Sequence, residues 1–152
     1  MVYPPDHPMT ASPLIDPQAL LPHRPPMLMI SEVVYCDQDR AHCRALIQPD
    51  NPLLFDSLFP GVGGIELLAQ ASGILLAMRL GGEGAGRPGA IAQIKSFETS
   101  KGSVPVGAGL DIHTNFRGGN EMVAMFDGQV MWQQEPLFEG SLMITLLPEA
   151  QA

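Results

Sequence analysis

Glu66 stands near the head of a run that is nearly all apolar or small from Ile65 to Met78, and its type and position suggest chemistry more than any other residue's. Just ahead of it, in LFPGVGGIELLAQ (58–70), stand Gly61, Gly63 and Gly64. The first backbone N–H groups of a helix have no intrahelical acceptor. With the helix dipole, they favour an anion, or an oxygen that becomes negative during a reaction. A carboxyl beside such donors can take up or deliver a proton. Two influences on its charge oppose each other: apolar surroundings favour the neutral form, and the helix start favours the charged one. Gln70 lies four residues on, so it shares a face with Glu66 and can hold the carboxylate or line a pocket. The plain alternative is that Glu66 only complements the helix dipole, worth about 0.3–1 kcal/mol at an exposed site.

The segments around this helix must position it. Residues 1–16 hold four prolines and little periodicity, and read as an N-terminal arm; 17–150 read as one domain. DPQALLP (16–22) predicts one helical turn, with Asp16 as N-cap and Pro17 in the first turn. MLMISEVVYC (27–36) and AHCRALIQ (41–48) predict a hairpin across DQDR. PDNPLLFDSLFPGVGG (49–64) reads as a loop, the helix spans about 64–80, and GGEGAGRPG (81–89) stops it. Strand patterns follow at 90–98, 107–117, 121–133 and 136–147, with turns at RGGN (117–120) and WQQEP (132–136). The Asp127-Gly128 pair inside the third of these predicts a bulge or a break. A helix apolar on all sides must be buried. An antiparallel β-sheet wrapped around a central α-helix buries it, and this α+β arrangement is the hotdog fold. A helix lying flat on an open sheet would show a clearer polar stripe.

The totals exclude several classes. The 152 residues carry a net charge of −8, which disfavours nucleic acid and anionic membrane surfaces. Cys36 and Cys43 are the only cysteines, and no Cys/His cluster has zinc spacing, so no metal is expected. The cysteines read as small buried residues, the alternative being that they face each other across the first hairpin. The N-terminus lacks a basic start and an apolar core, and the apolar run at 67–78 is broken by Gln70, Ser72 and Gly73. Neither a secretory signal nor a membrane span is expected, which points to the cytoplasm.

Three blocks resemble the β-hydroxyacyl-acyl-carrier-protein dehydratases. LLPHRPPMLMISEVV (20–34) resembles their opening, PGVGGIELLAQASG (60–73) their helix start, and IAQIKSFETSKGSVPVGAGL (91–110) a later pair of strands. The L-L-P-H-x-x-P-M-L start and the G-I-E-x-x-A-Q helix are similar to the dehydratase-like proteins of aryl-polyene and related fatty-acid-like clusters. The resemblance implies a hotdog fold in a homodimer, or in a heterodimer with a related dehydratase. It implies removal of water from a (3R)-3-hydroxyacyl thioester carried on the phosphopantetheine of an acyl carrier protein or coenzyme A, with no other cofactor. The family pairs a histidine of one subunit with an acid at the helix start of the other. The acid matches Glu66, and the backbone donor to the thioester carbonyl matches Gly61, with Gly64 and Gln70 beside it as substrate contacts.

One departure stands out. The family's G-H-F-P motif, laid on residues 51–61, puts its histidine on Pro52 or on Leu58. His23 is the best substitute, and its alternative role is to tie the N-terminal segment to the body. His42 and His113 sit in strand patterns as satisfied side chains, and His7 lies in the arm. Lys95, Lys101, Arg79 and Arg87 are candidates for a basic rim that docks an acidic carrier. The methionines, including Met78, Met122, Met125 and Met131, suit an adaptable acyl tunnel. Dehydration is the first expectation. A hotdog thioesterase, in which Glu66 activates water, and a non-catalytic partner subunit are the alternatives.

Overall fold

A computed structural model of the chain describes residues 15–82, 86–100, 102–120 and 122–147. In chain order these form α1 (Pro17–Leu20), β1 (Ile30–Cys36), β2 (Arg40–Leu46), β3 (Leu58–Pro60), a 3₁₀ turn (Gly61–Gly63), α2 (Gly64–Arg79), β4 (Gly89–Thr99), β5 (Ser103–Pro105), β6 (Gly109–Gly119), β7 (Val123–Trp132) and β8 (Glu135–Leu146). Six strands make one antiparallel sheet in the order β1-β2-β6-β7-β8-β4, and β3 pairs with β5 in a two-stranded ribbon. The sheet curls around α2, and the fold is the α+β hotdog expected from the helix pattern.

Alternation along the strands explains the burial. On β6, Leu110, Ile112 and Thr114 point inward while Asp111, His113 and Asn115 point out. From the helix, Leu67, Leu68, Ala71, Ile74 and Leu75 have no solvent exposure and meet Phe126, Val130, Phe138 and Leu142 of the sheet. One polar contact interrupts this core: the hydroxyls of Ser72 and Thr114 are 2.7 Å apart and both fully buried. Gly61–Arg79 is long and apolar enough to cross a membrane, but 67% of its most apolar window is buried within the fold. It is the core helix.

Local chemistry sets the ends of α2. The N–H of Gly82 donates to Ala77 O and that of Gly81 to Met78 O, with Gly81 at φ 65°. This Schellman closure requires the left-handed conformation that glycine adopts most cheaply. At the other end Gly63 and Gly64 allow close packing. A Cβ on Gly63 would lie 2.6 Å from the Phe59 ring, and one on Gly64 would lie 2.6 Å from Phe138.

Several boundaries differ from the sequence-based expectation. Residues 58–60, read as loop, form β3, because their partner strand β5 is distant in sequence. No register shift occurs at Asp127-Gly128; the shifts in β7 and β6 fall at Val130/Met131 and Phe116/Gly118 instead. Gly128 is there because β6 comes close: a Cβ would sit 2.1 Å from His113 O. Cys36 pairs with Ala41 and Cys43 with Val33, so the two thiols are not opposite one another, and both are free.

Candidate active site

The segment between α1 and β1 carries His23 and lies against the first turns of α2. Gln70, 1% exposed, holds it there. Its amide oxygen accepts from Met29 N at 3.0 Å, and its amide nitrogen donates to Met27 O at 2.9 Å. The same nitrogen donates to Glu66 Oε1 at 3.0 Å. A backbone turn reinforces the segment: Leu28 N donates to Arg24 O, and the Arg24 guanidinium donates back to Leu21 O and His23 O. Leu21 packs over Gly73, where an added Cβ would approach its Cδ2 to 3.0 Å.

These supports bring His23 Nε2 to 3.4 Å from Glu66 Oε1, within one chain. Both side chains are about three-quarters covered. His23 Nδ1 is buried and has no hydrogen-bond partner. The pair stands at one end of a cavity of about 270 Å³, just below the usual small-molecule range of roughly 300–1,000 Å³. Its floor is one face of α2, made by Glu66, Ala69, Gly73 and Ala77 at helical spacing. Leu20, Leu21, Ile91, Ile144 and Leu146 wall it, and Arg87 lines it as well. Such a site offers a proton acceptor, a carboxyl and a slot shaped for an extended apolar group.

A match to the ApeP-like family model, described as ApeP dehydratase, covers residues 15–152. The chain belongs to the ApeP-like dehydratase family. It is also similar to the 3-hydroxyacyl-[acyl-carrier-protein] dehydratase FabZ of Novosphingobium aromaticivorans, 34% identical over 122 residues that make up 74% of this chain and 75% of that protein. Among solved structures it shares its fold with the dehydratase heterocomplex ApeI:P of Xenorhabdus doucetiae (TM-score 0.80, 23% identity, 89% of this chain and 93% of that one). A hypothetical thioesterase with coenzyme A from Streptococcus pneumoniae matches as fold alone (TM-score 0.59, 14% identity, 79% of this chain and 88% of that one). The dehydratase superfamily read from the three sequence blocks is therefore the right one, and hydroxyacyl thioester dehydration is the family's function.

For this ApeP-like chain the expected site residues divide into two groups. His23 and Glu66 meet in the cavity, and Gln70 holds Glu66 from behind rather than lining the cavity. Gly61 and Gly64 lie outside it. The N–H of Gly61 donates to Gly102 O, and that of Gly64 bonds back into the 3₁₀ turn. Gly64 packs closely against Phe138, where an added Cβ would lie 2.6 Å from the side chain. Pro52 and Leu58, where the family histidine would fall, do not line the cavity either.

The remaining candidates lie elsewhere. His42 and His113 stack at 4.2 Å on the outer face of the sheet, and His42 Nε2 donates to Asp111 at 2.7 Å. Arg79 lies on the Phe116 ring, 3.5 Å from its centre, and donates to Gln38 O, which pins the β1–β2 turn. It is not part of a rim around the cavity. Lys101 and His7 are outside the described residues. Met78, Met122, Met125 and Met131 do not line the cavity. Among the described residues no group of three or more His, Cys, Asp or Glu could hold a metal ion. Sequence reading missed Ala69, Gly73 and Ala77, although their offsets of three, seven and eleven from Glu66 are a readable signal of one helix face. Arg87, read from the sequence only as a candidate for a basic rim, lines the cavity.

Proposed function

We propose that this chain dehydrates a (3R)-3-hydroxyacyl thioester, carried on the phosphopantetheine of a cytoplasmic acyl carrier protein, with His23 and Glu66 of one chain as the reacting pair. The contact of His23 Nε2 with Glu66, at the cavity that both residues line, carries this reading. With its Nε2–H turned to the carboxylate, the neutral imidazole has its lone pair on Nδ1. That nitrogen takes the C2 proton. The Glu66 carboxylate stabilises the imidazolium, as an acid behind a catalytic histidine does. The proton then passes to the C3 hydroxyl, the C–O bond breaks, and the products are a 2-enoyl thioester and water. Gln70 is a positioning residue that fixes the carboxylate. The substrate brings its own tether, and the reaction needs no redox step.

The sheet supports a paired assembly. β4 is an eleven-residue edge strand whose side chains are mostly exposed, Ile94 and Phe97 among them. An open edge of that length is a template for another strand. The ApeI:P structure is a dehydratase heterocomplex, which favours a related dehydratase as the occupant. The family histidine missing at Pro52 or Leu58 favours the same arrangement: a partner that carries it would supply a second site.

The test offers 3-hydroxyacyl thioesters on carrier protein and on coenzyme A, with enoyl formation followed by ultraviolet absorbance and released thiol measured in parallel. Glu66→Gln and His23→Asn are each expected to lower turnover by about 10²–10⁴, the range for a general acid–base group. Thiol release without enoyl product would make the protein a thioesterase. Near-normal turnover in either variant would remove the pair from the mechanism.

A further inference from the structure

The outer face of the sheet carries a groove of about 640 Å³ where β7, β8 and β4 lie side by side. Strand register sets its residues in cross-strand rows. Gln129 pairs with Glu139, and Glu139 with Glu98; Asp127 pairs with Ser141, and Ser141 with Ser96. Alternation turns both rows outward, while the row between them, with Gly128 against Leu68, faces the helix. None of these residues lines the cavity that holds His23 and Glu66.

All six outward side chains carry oxygen acceptors, and none is a cation. Asp127 is already engaged: it accepts from Asn115 Nδ2 at 3.3 Å and from Arg117 Nε at 2.5 Å. Glu98 and Glu139 are not. Among the described residues, neither carboxylate has an ion pair or a hydrogen bond. They stand directly opposite each other on neighbouring strands, where like charges are destabilising. Gln129 continues their row. It is 6% exposed and lines the groove, and its amide has no hydrogen-bond partner among the described residues. Burying an amide costs free energy unless something bonds to it. An unpartnered, covered amide beside two unneutralised carboxylates therefore marks a place for a ligand.

Carboxylates only accept, so the ligand must bring N–H donors and positive charge. Neighbouring strands lie ~4.8 Å apart, so the row from Gln129 to Glu98 spans roughly 10 Å. One metal ion would draw its oxygens to about 2.3–2.6 Å. Among the described residues no three His, Cys, Asp or Glu side chains converge on such a point. Two ammonium groups joined by three or four methylenes lie roughly 5–6 Å apart when extended, with bonds of ~1.5 Å. That separation is close to one strand spacing. We propose that this face of β7, β8 and β4 binds a linear aliphatic dication. One ammonium bridges Glu98 and Glu139, and the second is shared by Glu139 and the amide oxygen of Gln129. The site is separate from the dehydration chemistry, and its occupancy is read without turnover.

The test titrates the full chain calorimetrically at low salt with a four-carbon diamine, and in parallel with butylamine, calcium chloride and lysyl-lysine amide. The diamine is expected to bind at one site per chain, about tenfold tighter than the monoamine, on the scale of one charged hydrogen bond. Glu139→Gln keeps the shape and should weaken the diamine by about tenfold. Gln129→Leu changes no charge and should weaken it roughly fivefold. Diffuse attraction to a chain of net charge −8 would leave Gln129→Leu equal to wild type, and that result overturns the proposal. So does tighter binding of calcium, which would make the row a metal site, or of lysyl-lysine amide, which would make it a protein contact. Absence of saturable binding overturns it as well. Thermal melts add a second readout. The diamine should raise the Tm of wild type more than sodium chloride at equal ionic strength does. Glu98→Gln should raise the Tm without ligand, by removing the repulsion from Glu139, and should abolish the response to the diamine. A full diamine response in Glu98→Gln would put the ligand elsewhere and refute the site.

Discussion

Replacing Gln70 with alanine would test whether one amide holds the active-site segment in place. Gln70 makes three hydrogen bonds: it accepts from Met29 N and donates to Met27 O and Glu66 Oε1. The Glu66 bond is partly solvated and contributes little on removal. The Met29 N–H is buried and would lose this acceptor, at about 1–3 kcal/mol, and the Met27 carbonyl would add a smaller amount. The expected loss is about 2–4 kcal/mol, which for a chain of this size lowers Tm by roughly 10 °C. Gln70→Met restores most of the volume and leaves the same two backbone groups unpaired, so it should recover only the cavity part of the loss. Urea unfolding of the three proteins gives the answer, with the midpoint falling and the m-value unchanged. A methionine variant within about 0.5 kcal/mol of wild type would show that volume, and not hydrogen bonding, secures the segment, and the reasoning would fail.

Other outcomes follow from separate features. Gly128→Ala forces a Cβ to 2.1 Å from His113 O and 2.6 Å from Leu68, so it should cost about 3 kcal/mol or more, or prevent folding, as read by circular dichroism. Thr114→Val leaves the buried Ser72 hydroxyl without its partner and should cost about 1–3 kcal/mol in urea unfolding. Asp111 is held below the usual carboxylate range, chiefly by the hydrogen bond from His42, with Arg44 assisting. A depressed folded pKa adds stability above the unfolded value, about 3.9, that is lost as pH falls through the folded one. Asp111→Asn should therefore lower stability above about pH 4 and flatten the acid limb of a stability–pH profile below it. Burial, helped by Asp37, pushes the Cys36 thiol up to about 11, so alkylation by iodoacetamide at neutral pH should be slow in the native protein and fast in urea.

The helix, its acid and most strands were readable because each carries a repeated pattern. Glu66 stands out against twelve apolar or small positions within 65–78, and β4, β6, β7 and β8 begin and end within one or two residues of the patterns at 90–98, 107–117, 121–133 and 136–147. What escaped depends on contacts between segments distant in sequence. β3 and β5 are three residues each, too short for a period of two to register. Gly61 and Gly64 read as ligand donors from the sequence, whereas in the fold their N–H groups bond Gly102 O and the 3₁₀ turn, contacts that no local pattern announces. His23 was singled out because the usual histidine was missing. Its approach to Glu66 depends on Gln70, 41 and 43 positions from the backbone groups it ties down.

His23 and Glu66 belong to one polypeptide, which has a consequence for inheritance. Where a histidine and an acid come from different subunits, two defective copies can repair each other in a mixed oligomer, each lending the half it retains. With His23 and Glu66 as the proposed reacting pair, each chain would stand or fall by itself. Cells expressing Glu66→Gln and His23→Asn copies together would form mixed assemblies with no more dehydratase activity than either parent. With wild type present, activity would follow the fraction of intact chains in direct proportion, so the two lesions would behave as one complementation group.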